Sequence, residues 1–522
     1  MTTSTPRRRR AAKSMVRRPS GLLTPSWASN LIAPDGLEGI RLPGTDKKGN
    51  KHLPATGRAG YVEAPPVMQG TSNQIAGLFP FMTSTSKSPL GAPMGTHFFH
   101  MSPVFLDFMT LFLAGGASSP SLILFGLQGR GKSSFFLRML MGMLAAGYLV
   151  VIPGDLKGEY SKFMRHIGGK AFEVGGDKGC VNPLDAGPLE GAVHSIKDDK
   201  IRNAMLAEMR SRRHRTVRAL VELVLARPLS ADAGEPGILS EAIDHAVAGH
   251  GRFALLGHVE NRIANPTPEM IESASCHDAA DFLRLTKGLR NGLKDLIHSP
   301  EFGGTFSQPT SEDMPVGVNC SFDISAVDLS EERYRAALQI VTWNYAQSVT
   351  SSVMSLKEAG LYPEVHYIMG FDELWQNFQV DPRVAVNMLE GLIRINRTKG
   401  IGQALITHGT GDLDLPDPAL TAKAKQFVAR SSMRVYGGIP YDEIDSLEKV
   451  QKFTNKEREL LGAWAADSGS GSVPLGRGKF LAKFGDDPGI PINMGPLTTL
   501  EKFLHNTNEN FDGAKNALAG HH

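Results

Sequence analysis

Cysteine is almost missing from this chain: three in 522 residues, Cys180, Cys276 and Cys320, at spacings that suit neither a disulfide framework nor a metal site. That scarcity excludes a small stapled secreted domain and fits a reducing cytosol. Long apolar runs are also lacking, and no window reaches the roughly 20 residues that a membrane-spanning helix needs. The nearest, "MLMGMLAAGYLVVI", reads as the end of a helix followed by a strand. "SGLLTPSWASNLIAP" is too polar and too broken by proline to be the core of a signal peptide. No internal repeat is evident. Acid is absent from the first twenty residues, where "TPRRRRAAKSMVRRPS" carries seven basic side chains. The plain reading of that block is a solvated tail, and the sharper one is a sequence-independent grip on DNA or on anionic lipid.

What is present is a globular composition, 41% hydrophobic and 21% charged, in a chain long enough for two or three units around a large core. Its most informative stretch is "LILFGLQGRGKSSFFLRML". Gly126, Gly131, Lys132 and Ser133 match G-x-x-x-x-G-K-[ST], a loop whose glycines let backbone N–H groups turn inward around phosphate. Lys132 is placed to bridge the β- and γ-phosphates of ATP, and the Ser133 hydroxyl to ligate Mg²⁺. Gly129, Arg130 and Ser134 complete the loop expected to surround the nucleotide. The context agrees, because an apolar run, "SLILF", leads in and a helical pattern follows. A second GRGK, from Gly476 to Lys479, lacks the correct offset and reads as a hairpin turn.

Strand and helix patterns alternate around this loop, which predicts an α/β fold with a mostly parallel sheet. The expected organisation is a basic, largely disordered arm over 1–75 and the first part of a nucleotide-binding core over 76–189. A helical insertion over 190–300, the second part of the core over 301–505 and a tail over 506–522 follow. Within the insertion Arg210, Arg212, Arg213, Arg215 and Arg218 cluster on one predicted helix. A solvated face is the preferred reading there over a polynucleotide-binding surface. "VHYIMGFDELW" ends an apolar run in two carboxylates. Asp372 is the candidate Mg²⁺ carboxylate, and Glu373 the candidate base that polarises attacking water. "LITHGTGDL" ends another run in Thr407 and His408, and His408 is the candidate sensor of the γ-phosphate from the neighbouring strand.

"SLILFGLQGRGKSS", "VIPGDLKGEYSKF", "IGGKAFEVGGDKGCVNPLD", "IMGFDELW" and "INRTKGIGQALITHG" follow one another in the order seen in the large ATPases of type IV secretion. Over roughly residues 79 to 505 the chain resembles that VirB-four or TraC-like family of the FtsK and HerA superfamily of RecA-like P-loop ATPases. The resemblance implies an ATP- and Mg²⁺-dependent ring motor, expected as a hexamer, powering conjugative DNA transfer or secretion at the inner face of a bacterial membrane. It also implies partnership with the inner-membrane machinery. Arg397, in "RTKGIG", corresponds to the family's basic residue and is the first candidate for an arginine acting in the neighbouring subunit's site, followed by Arg430 and Arg434. Asp155 and Glu159 fall on the family's acidic turn, with no role assigned. Two departures stand out. His408 stands where the family usually has Gln, and only about a hundred residues precede the P-loop domain, so the Arg-rich arm is the expected substitute for the usual docking domain. The rival readings are a DNA translocase of the same superfamily and a nucleotide-gated assembly scaffold with little turnover.

Overall fold

The computed structural model describes residues 91–302, 304–328, 330–373, 380–409, 411–466 and 474–504. The basic arm, the tail beyond 504 and most of the lead-in before the sheet lie outside them. Eleven strands form one sheet in the order β2-β1-β11-β10-β9-β3-β8-β7-β4-β6-β5. They are β1 (Pro93–His97), β2 (Pro103–Phe105), β3 (Ser121–Phe125), β4 (Leu149–Asp155), β5 (Lys170–Glu173) and β6 (Cys320–Asp323). β7 (Tyr367–Phe371), β8 (Gly402–Ile406), β9 (Met433–Tyr436), β10 (Lys479–Phe484) and β11 (Ile490–Asn493) complete it.

From β9 to β5 every neighbouring pair is parallel. β10, β11, β1 and β2 add an antiparallel edge. Strands buried on both faces must be apolar throughout rather than alternating. "SLILF" in β3 and "YIMGF" in β7 are buried at every position. The predicted fold class, a mostly parallel α/β sheet with a helical insertion, is the observed one.

The helices that matter for the site are α1 (Lys132–Ala145) after β3 and α2 (Glu159–His166) after β4. Between β5 and β6 the chain is helical, with α3 (Asp199–Leu225), α4 (Glu235–His250), α5 (Leu256–Ala264) and α6 (Lys287–His298) as its main members. α7 (Glu332–Glu358) precedes β7, α8 (Pro382–Lys399) precedes β8, α9 (Pro418–Arg430) precedes β9 and α10 (Asn455–Ala465) precedes β10. α7 has no solvated face over most of its length, packed between the sheet and α3. It tolerates its Ser and Thr content because Thr342 and Thr350 donate back to the carbonyls of Leu338 and Ala346, and Ser348 to Ala186. The helical segment thus shares one hydrophobic core with the sheet.

Two expectations change here. Arg212 and Arg213 are buried rather than solvated: Arg212 pairs with Glu208, and Arg213 with the Leu184 carbonyl and Glu190. Arg210 and Arg218 are matched by Asp244 and Glu222, so these four arginines balance local charge. The second GRGK is a turn, but it enters β10 from the α10 side rather than joining two strands. The hairpin partner of β10 is β11, beyond Lys483.

Candidate nucleotide site

The carboxyl ends of β3, β8, β7 and β4 lie side by side in the sheet, and they carry the chemistry. After β3 the chain turns through Gly129 and Gly131, both in the left-handed region, with φ of 77° and 93°. A Cβ there would strain the loop, so glycine at these positions is a backbone requirement. At Gly126 a Cβ would stand 3.2 Å from the Cα of Gly437, because the loop is stitched to the ends of β8 and β9. Gly126 N–H donates to the His408 carbonyl and Leu127 N–H to that of Gly438.

Lys132 opens α1 with its ammonium turned back into the loop, 2.7 Å from the Gly126 carbonyl and 2.8 Å from Nδ1 of His408. Burial lowers its pKa, against the nearby charges of Asp372 and Glu373. An ammonium has only donors, so Nδ1 of His408 accepts and the ring proton sits on Nε2. Nε2 then donates to Glu373 at 3.1 Å. One imidazole therefore joins the phosphate lysine to the candidate base.

Glu373 is 6% exposed and has a left-handed backbone, φ 53°, unusual for a residue with a long side chain. Burial alone would raise its pKa, but hydrogen bonds from His408 and Lys157 hold the carboxylate down at about 2. Its neighbour Asp372 behaves oppositely. Burial and the adjacent Glu373 charge push it up to about 6, although Tyr160 donates to it at 2.7 Å and the Glu373 N–H at 2.8 Å.

The turn after β4 supplies what the sequence left open. Lys157 pairs with Glu373, Glu159 accepts from the Ser133 hydroxyl, and Tyr160 holds Asp372. Asp155 caps α2, accepting from the N–H groups of Tyr160 and Ser161 and from the Ser161 hydroxyl. The signal for Lys157 and Tyr160 was the crowding of polar side chains into one turn at the end of an apolar strand.

Other candidates lie elsewhere. The Arg130 side chain is buried and donates to the carbonyls of Ala465 and Ala466, while its own carbonyl accepts from Gly478. It fastens the chain after α10 to the loop instead of facing phosphate. Ser134 is buried in the first turn of α1. Arg397 is at the opposite edge of the sheet, near the start of β8, and shares a cleft of about 120 Å³ with Arg394 and Arg430, among Ser119, Ser431 and Glu390. Arg434 is buried, with its guanidinium on the carbonyls of Val428 and Ala429 and on Gln451. It is a structural residue and not a candidate for the neighbour's site.

The residues suit a Mg²⁺–nucleotide. Among the described residues no cluster of three or more His, Cys, Asp or Glu side chains could hold a metal by itself. Mg²⁺ bound by a hydroxyl, one carboxylate, phosphates and water needs no such cage, and Ser133 and Asp372 offer that set. No protein-family model and no curated protein sequence matches the chain. Solved structures do. A plasmid coupling protein, TrwB, in complex with a non-hydrolysable ATP analogue aligns at 15% identity over 73% of this chain and 86% of its own, with a TM-score of 0.45. The cytoplasmic domain of the type VII secretion ATPase EccC of Thermomonospora curvata aligns at 13% identity over 78% and 29%, with a TM-score of 0.31. VirB4 of Thermoanaerobacter pseudethanolicus aligns at 16% identity over 79% of this chain and 99% of its own, with a TM-score of 0.57. The RecA-like P-loop fold expected from the sequence is thus the fold this chain shares with VirB4.

Proposed function

We propose that this chain is a Mg²⁺-dependent ATPase working as a ring, expected as a hexamer, that powers conjugative DNA transfer or type IV secretion at the inner face of a bacterial membrane. The observation that carries the reading is the linked set Lys132–His408–Glu373 beside Ser133 and Asp372, at the carboxyl edge of a parallel sheet with the VirB4 fold. The ordered run of secretion-ATPase motifs supports the narrower part. No helix among the described residues is long and apolar enough to cross a membrane.

Bound MgATP supplies the phosphoanhydride whose hydrolysis drives the motor. Lys132 exchanges Gly126 O and His408 for phosphate oxygens, at a helix N-terminus already suited to anions. The Ser133 hydroxyl and the Asp372 carboxylate would hold Mg²⁺ when it is bound, and the ion would neutralise phosphate charge. Glu373 takes the proton of the attacking water at Oε1 or Oε2 once its present partners release it. Arg397 lies on the edge of the sheet away from its own loop, which suits a side chain that reaches a neighbour's nucleotide, and Arg430 shares its cleft. The basic arm is assigned to DNA or anionic lipid beside the membrane machinery.

The test is ATP hydrolysis by size-separated oligomers, with and without DNA. Steady hydrolysis that Lys132→Ala abolishes, with folding intact, is expected. Wild-type turnover in that variant would remove the loop from the mechanism. Strong stimulation by duplex DNA would turn the assignment to a DNA translocase, and nucleotide binding without turnover to an assembly scaffold.

A further inference from the structure

Lys157 lies two residues beyond the end of β4, on the strand that pairs with β7, so the topology delivers it to the two carboxylates that close β7. Its ammonium pairs with Oε1 of Glu373 and feels the charges of Glu159 and Asp372. These are the carboxylates that face the Ser133 and Lys132 end of the loop. The pair is asymmetric: the Lys157 side chain is 48% exposed and the Glu373 side chain 7%. The partner free to move is therefore the lysine, on a flexible four-carbon stem already half in water.

While it is closed, the pair is incompatible with the role assigned to Glu373. A carboxylate held by a lysine on one oxygen and an imidazole on the other has little capacity left to accept a proton from water. Something must draw Lys157 off. Lys132 already spans the inner part of the phosphate site, so the cation beside Glu373 stands where a terminal phosphate would come.

We propose that Lys157 is a second phosphate-binding cation of this site, parked on Glu373 until a γ-phosphate draws it away. The inference rests on the nucleotide reading above and deepens it. One movement then does two things, adding positive charge to the terminal phosphate and freeing the base. ADP has no γ-phosphate, so it leaves Lys157 on Glu373, and the site distinguishes the two nucleotides through this side chain.

The test is calorimetric binding of MgADP and of a non-hydrolysable Mg–triphosphate analogue to the wild type, Lys157→Met and Lys157→Arg. Wild type is expected to prefer the triphosphate. Lys157→Met should lose about tenfold of that preference, the worth of one charge-assisted contact, with ADP affinity unchanged. Lys157→Arg should keep it, and unchanged ADP affinity shows in each variant that the site is folded. Triphosphate affinity unchanged in Lys157→Met would show that Lys157 binds no phosphate and at most restrains Glu373. A parallel fall for both nucleotides that Lys157→Arg does not rescue would make it a structural prop. Either result overturns the inference and leaves the nucleotide site standing, whereas failure of the wild type to bind either nucleotide would remove the site itself.

Discussion

Glu373 and Asp155 are held far from the ordinary carboxylate range in opposite directions, and the surroundings explain both. Glu373 is buried but doubly hydrogen-bonded, so its charged form is favoured. Asp155 is 2% exposed, and the register of β4 with β6 sets it beside Asp323. Burial, then repulsion from Asp323 and more weakly from Glu159, push it up to about 7 in spite of three donors from α2. The folded state therefore binds more protons than the unfolded chain between about pH 4 and pH 7. Stability from this group is fully present below about pH 4 and is lost as pH rises through 7. The amount is on the order of 4 kcal/mol for a shift from 3.8 to about 7. Asp155→Asn keeps an acceptor for the end of α2 without the charge. It should shrink this dependence, read as the difference in urea midpoint between pH 5 and pH 8, and leave the smaller part that belongs to Asp372. An equal slope in the variant would mean that Asp155 is ionised throughout.

The turn into β10 shows how a local element can serve the site from outside it. Arg130 fastens the chain after α10, and the next turn returns Gly478 N–H to the Arg130 carbonyl. α10 itself is anchored by Glu457, which closes a capping box with Thr454 and also meets the Lys483 ammonium of β10 and the Gly489 N–H. Lys483 is 1% exposed. Glu457→Ala would leave that ammonium buried without its counter-charge and should cost about 3–5 kcal/mol, seen as a fall in the urea midpoint. The double change Glu457→Met with Lys483→Met should recover most of the loss. If the single variant is as stable as the wild type, water is reaching Lys483. At this scale much was legible in the sequence. "SLILF" and "YIMGF" announce strands buried on both faces, and the pairs Asp372–Glu373 and Thr407–His408 follow directly as the first polar side chains beyond apolar runs. The contacts of Lys157 were not legible, because they depend on β4 lying next to β7, and chain order does not give strand order. Arg130 and Arg434 misled for a related reason. A guanidinium beside a motif looks available until the carbonyls it caps are seen, and those come from Ala465, Ala466, Val428 and Ala429. Arg212 and Arg213 looked solvated because nothing local shows that α3 lies against α7 and the loop at Leu184.

For the whole molecule the decisive feature is polarity across the sheet. The P-loop and its carboxylates stand at the carboxyl ends of the strands, while Arg394, Arg397 and Arg430 gather at the amino-terminal edge, beside Ser121 and Gln403. Within one chain these arginines do not reach the site, and in a head-to-tail ring one copy's arginine cleft would face the next copy's loop. Such an interface is heterologous and closes into a ring only when the rotation between copies closes. A shared site of this kind shows itself when two inactive variants are mixed. Glu373→Gln alone should hydrolyse roughly a hundredfold more slowly, because an amide cannot take the water's proton. Arg397→Ala alone should be slow as well, because the developing phosphate charge loses a cation. Mixed together, some interfaces pair an intact Glu373, from an Arg397→Ala subunit, with an intact Arg397, from a Glu373→Gln subunit. Hydrolysis recovered above the sum of the two variants, and only in fractions that sediment as oligomers with ATP, is the expected result. Strictly additive rates with a monomeric profile would show that each chain completes its own site, and the arginine cleft would then need another anion.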